Sequence, residues 1–91
     1  SVRRDIALLV DRSEQYQNLE DCIRQVGKGL LVNSFLFDVY EGDKLPADKK
    51  SYAIGLIFQD ANKTLNDKAV DKTVQRILDQ LNKRTGAVLR Q

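Results

Sequence analysis

The sequence has no histidine, one cysteine and one proline. With no histidine and only Cys22, there is no zinc or iron–sulfur ligand set. An internal disulfide is excluded, as is serine–histidine or cysteine–histidine catalysis. A single cysteine fits a reducing compartment. No apolar run approaches membrane-spanning length, and no signal or transit pattern opens the chain. There is no glycine-rich phosphate loop and no acid pair placed to converge, so enzyme activity is not expected. What remains is an ordinary globular composition, 42% hydrophobic and 31% charged in 91 residues. That is enough for one domain with one core, spanning residues 1–91. The chain begins at Ser1 without methionine and opens almost directly on a strand pattern, so a fragment of a longer protein is expected.

The net charge of +2 is unevenly spread. Residues 1–45 hold six Lys/Arg against eight Asp/Glu, and residues 46–91 hold nine against five. This is a mild polarity, well short of a basic tail.

Residues 3–10, RRDIALLV, read as a strand closed by the polar stretch Asp11–Gln15. Leu19, Ile23, Val26 and Leu30 follow helical spacing, with Cys22 on the same face as a small core residue. Asn18 is the expected N-cap of this helix, with Glu20 and Asp21 in its first turn. Gly27 and Gly29 weaken the end of this helix and mark either close packing there or its stop. Residues 32–41 form the second strand and 51–59, SYAIGLIFQ, the third; a polar loop with Pro46 joins them as a hairpin. DANKTL is a turn. Asn66 caps a second helix from Asp67 whose stripe is Val70, Val74, Ile77, Leu78 and Leu81, with Gly86 as its stop. AVLRQ is a short last strand.

The order βαββαβ, with two amphipathic helices and right-handed crossovers, predicts an α+β, ferredoxin-like fold. Its antiparallel sheet has strand order 4-1-3-2, and both helices cover one face. Side chains alternate across a strand, so parity sorts the faces. The bulky sets go to the core: Ile6, Leu8 and Val10; Phe35, Phe37 and Val39; Tyr52, Ile54, Leu56 and Phe58. The other face then holds Asp5, Ala7, Asp38, Tyr40, Ser51, Ala53 and Gly55. Small residues leave that face open to a flat ligand. A tyrosine there can stack on a base, and a carboxylate can accept from the edge of a guanine, as in recognition of unpaired RNA. Lys44, Lys49 and Lys50 of the loop offer charge for phosphates. Arg4 has core parity and is expected to cap the sheet edge or pair with an acid.

Two other readings fit the same topology. One is a structural interdomain or protein-interaction module, with Leu9, Leu36, Ile57 and Val88 on its open face. The other is a small-molecule regulatory domain that dimerises through its sheet.

Five segments in order, RRDIALLV, LFDVYEG (36–42), KKSYAIGLIFQ (49–59), KTLND (63–67) and GAVLR (86–90), cover essentially the whole chain. Together they resemble the ferredoxin-fold anticodon-binding domain that closes the β subunit of bacterial phenylalanyl-tRNA synthetases. The resemblance implies a C-terminal fragment of a cytoplasmic (αβ)₂ enzyme that joins phenylalanine to its tRNA. ATP and magnesium would serve the α subunit, with no cofactor in this domain. The implied partner is the anticodon stem-loop of phenylalanine tRNA, bound on the open face. Asp38 would read the first anticodon base, a guanine, and Tyr40 would stack on it. Ser51 and Ala7 would line the site. Lys49 and Lys50, with Arg3 or Arg90, would meet phosphates. Tyr52 stands where the family often has Leu, and Lys63 where it usually has Arg. The cap Asn66–Ala69 lacks the family's capping-box acid, a loss of about a few tenths to 1 kcal/mol.

Overall fold

The alternating pattern that opens the chain forms a ten-residue strand, β1, Val2–Asp11. In the computed structural model, which describes residues 1–60 and 64–90, α1 (Tyr16–Val26) follows, then β2 (Leu31–Tyr40), β3 (Lys49–Phe58), α2 (Asp67–Thr85) and β4 (Val88–Leu89). The four strands form one antiparallel sheet in the order β2-β3-β1-β4, the expected 4-1-3-2 read from the other edge. Gln91, at the end of the last expected strand, and Lys63 lie outside the described residues.

One cluster makes the core. Ile6, Leu8 and Val10 of β1 and Tyr52, Ile54, Leu56 and Phe58 of β3 meet Leu19, Cys22 and Ile23 of α1 and Val70, Ile77 and Leu81 of α2. Both helices therefore cover the face to which the even-numbered residues of β1 and β3 point. Cys22 is buried among them, and burial pushes its thiol pKa up.

The second helix begins and ends where its sequence says. Asn66 accepts a 2.8 Å hydrogen bond from the Ala69 amide, Asp67 is acidic in the first turn, and Gly86 ends the helix in the left-handed conformation. Asn66→Ala is expected to cost about 1 kcal/mol of stability, measured by urea unfolding; an unchanged midpoint would show the cap to be idle. Arg4 bonds Asp67 at 3.0 Å and Asp71 at 3.5 Å, so of the two roles expected for it the acid pair is the one formed.

The first helix corrects its expected start. Its cap is Gln15 rather than Asn18, with no side-chain capping bond. The apolar ring of Tyr16 explains the earlier start: it packs against the core, edge-on to Tyr52 at 5.5 Å. Glu20 and Asp21 consequently lie beyond the first turn. There they bond Arg24 and Gln17, four residues away on the same helix face.

The second strand corrects the core. Phe35, Phe37 and Val39 are not in it; Phe37 and Val39 are each 49% exposed. Ser34 pairs with Leu56 and Leu36 with Ile54, both core positions of β3. Leu36, expected on the open face, accordingly packs against the core. Phe35 pairs with Gly55 on the opposite face. A register shift then falls between Leu36 and Asp38, so Asp38 pairs with Ala53 and Tyr40 with Ser51. The extra residue of such a bulge re-aims the chain. Parity counted through it assigns one half of the strand correctly and inverts the other.

Candidate nucleic-acid interface

The registers lay the open face out in rows. Tyr40, Ser51 and Leu9 form one row across β2, β3 and β1, and Asp38, Ala53 and Ala7 form the next. Phe35, Gly55 and Asp5 form a third, and Asn33, Ile57 and Arg3 a fourth. On the β4 side the Arg90 amide bonds the Ala7 carbonyl at 2.7 Å. Val88 pairs with Leu9.

Four of the six residues expected in the site are thus brought together. Tyr40 and Asp38 project from β2, over the small side chains of Ser51, Ala53 and Ala7 on the neighbouring strands. Asp38 is exposed, Tyr40 and Ala7 are half-buried, and Ser51 is buried between its larger neighbours. The tyrosine is held from two sides. A Cβ on Gly42 would come within 2.5 Å of its hydroxyl oxygen, so the phenol lies in space that only glycine leaves. The Arg90 guanidinium stands 5.1 Å from the ring centroid, reaching over β1 and β3 from beside Ala7.

The two lysines part company from this group. Lys50 pairs with Val10, on the helix side of the sheet, and its ammonium lies 4.9 Å over the Tyr52 ring. Lys49 has the open-face parity but sits at the end of the sheet, bonded to Asp11. That bond holds its ammonium pKa above the ordinary lysine value. Arg12 ties the hairpin loop to the same end of β1 through Glu41 and the Ala47 carbonyl, both at 3.2 Å. Lys44 is exposed on that loop.

Alternation did not point to three features of this face. Gly42 makes room for the tyrosine, and a glycine two residues beyond an aromatic strand end was the only signal. Phe35 lies over Gly55, where a Cβ would meet its ring at 2.5 Å. Phe37 reaches the same side through the bulge, its ring centroid 6.2 Å from that of Phe35. Nothing in the alternation of β2 marks the bulge.

A sheet covered by helices on one side and floored by small residues beside a ring and a carboxylate on the other defines an α+β domain with one open sheet face. The family model described as "Ferredoxin-fold anticodon binding domain" matches residues 1–90, and the chain belongs to that family. It is 44% identical over 90 residues to the phenylalanine–tRNA ligase beta subunit of Bacteroides fragilis, which covers 99% of this chain and 11% of that protein. It is 46% identical over 90 residues to the beta subunit of Geobacillus kaustophilus, with the same coverage. Against that of Psychrobacter arcticus it is 45% identical over 89 residues, 98% of this chain and 11% of the other. The chain thus spans about a ninth of the length of these relatives.

Proposed function

We propose that this chain is the anticodon-binding module of a phenylalanine–tRNA ligase β subunit, acting in the cytoplasm within an (αβ)₂ assembly. It binds the anticodon stem-loop of phenylalanine tRNA on the open sheet face and performs no chemistry itself. The observation that supports this best is the shared face of Ala7, Asp38, Tyr40 and Ser51, in two adjacent rows of a family whose description names the anticodon. Tyr40 stacks on the first anticodon guanine, and Asp38 accepts from its N1–H and N2–H₂ groups. Ser51 and Ala7 keep the floor low. Arg90, anchored beside Ala7, is better placed for a phosphate than Lys50, whose ammonium lies over Tyr52 on the helix side. Lys49 contributes charge at the end of the sheet.

ATP and magnesium serve the synthetase elsewhere. Among the described residues no group of three or more His, Cys, Asp or Glu is placed to hold a metal ion.

The test is a titration of the ¹⁵N-labelled domain with an anticodon stem-loop bearing GAA, and with a matched loop whose first base is not guanine. Shifts centred on Ala7, Asp38, Tyr40 and Ser51, larger for GAA, are expected. Equal shifts for both loops, confined to residues 44–50, would leave only phosphate attraction. Asp38→Asn puts an amide donor against the donors of guanine. It is expected to cost about 1–3 kcal/mol with GAA and less with other first bases, by analogy with bidentate base contacts. The same loss for every base would remove the reading role from Asp38.

The protein-interaction reading keeps one observation in its favour. Val88 remains exposed, at 45%, beside half-buried Leu9. The titration separates the two, since a face reserved for a protein neighbour gives no base-dependent shifts.

A further inference from the structure

Beyond the Asp38 row, the open face carries a second aromatic group that the reading above does not use. Phe35 lies across Gly55, and Phe37 leans against it with the two rings tilted by 51°. The Arg3 guanidinium stands 5.1 Å from the centroid of Phe35 and 5.5 Å from that of Phe37. Its Nε donates a 2.7 Å bond to Asp5, which fixes the plane of the group from the neighbouring row. An aromatic ring 49% exposed at the Phe37 position is costly to leave in water. The register shift that puts it there also separates it from the core.

We infer that Phe35, Phe37 and Arg3 form a second stacking platform, which takes an unpaired base neighbouring the one held by Tyr40 on the same RNA strand. The inference rests on the anticodon-binding reading and extends it by a second subsite. Three features favour a nucleotide over an apolar protein segment. The platform is continuous with the Tyr40 site: the Phe35–Gly55 row lies two residues along β3 from the Asp38–Ala53 row, about 7 Å away. Guanidinium planes and aromatic rings are both surfaces on which splayed bases stack, and four-stranded sheets of this kind can hold two or three bases at once. The Arg3 guanidinium, ion-paired with Asp5 at 2.7 Å, keeps the edge of the platform polar, which opposes an apolar protein segment but not a base with its polar edges.

The experiment measures binding of the 91-residue chain to the GAA stem-loop and to stem-loops with one loop base removed at a time. Phe37→Ala is expected to weaken binding of the intact loop by about five- to 150-fold, the range for loss of one stacked base. The loss should disappear for one abasic loop only. That position should differ from the one at which Tyr40→Ala becomes silent. Arg3→Lys keeps the charge and removes the plane; it is expected to reproduce most of the Phe37→Ala loss at the same loop position. Amide spectra of both variants check that the sheet is intact, and Arg3→Lys alone decides the matter if Phe37→Ala is misfolded. The inference is overturned if both variants bind as tightly as the parent while Tyr40→Ala does not, which would leave the anticodon reading standing. It is also overturned if Arg3→Lys is neutral, or if the losses are equal for every abasic loop, because the group would then supply charge alone or nothing. Base-independent binding by the parent chain itself would remove the anticodon reading and this subsite together.

Discussion

Phe58→Ala is expected to destabilise the domain by about 3–5 kcal/mol. The ring is fully buried on the helix side of β3, paired in register with Val2 on β1 and Leu31 on β2. Three strands meet around it, so its removal leaves a cavity that no single side chain can close. A domain of this size has only about 5–15 kcal/mol of stability in total, and a melting point lower by more than about 12 °C follows. Thermal unfolding by circular dichroism reads this directly. A shift of only a degree or two would mean that the core collapses into the gap, and that the packing around β3 is looser than the burial of Phe58 implies.

Tyr40→Ala is expected to have its large effect on RNA binding instead. Loss of the stacked ring is expected to weaken GAA stem-loop binding by about 1–3 kcal/mol. The cost to stability should be small, since Tyr40 is half-buried at the end of an edge strand and outside the core cluster. Tyr40→Phe keeps the ring over Gly42 and beneath Arg90 and should retain most of the affinity. Fluorescence anisotropy of labelled RNA, with melting curves for both variants, distinguishes binding from folding. Unchanged affinity in Tyr40→Ala would show that this ring is not the stacking surface.

Much of this architecture was legible in the order of residues. The stripe from Val70 to Leu81, the Asn66 cap and the Gly86 stop defined α2 because each signal is local. Strict alternation through β1 and β3 placed Ala7, Ser51 and the core correctly because both strands pair without interruption. The residues Asp38 and Tyr40 were placed on the open face by the same alternation, but the count that placed them also sent Phe35 and Phe37 to the core. An inserted residue changes the phase of a strand, and its position depends on how the edge strand fits its neighbour, which is a tertiary matter. The start of α1 failed for a related reason. Asn18 is the better cap in isolation, but beginning the helix earlier lets Tyr16 pack on Tyr52. Lys50 was grouped with the site because it is basic and near the loop. Its face followed from pairing with Val10, which alternation in β3, counted one residue further back, would have revealed.

The two irregularities of β2 have a consequence beyond the open face. This strand is an outer edge of the sheet, where unpaired backbone groups could template the strand of another molecule. Its register breaks twice, between Leu31 and Asn33 and between Leu36 and Asp38, within ten residues. Each break twists the outward row of amides and carbonyls out of line. An incoming strand finds no long straight ladder to extend. The same deformation that turns Phe37 toward the open face therefore makes this edge of the sheet a poor template for a strand of another molecule.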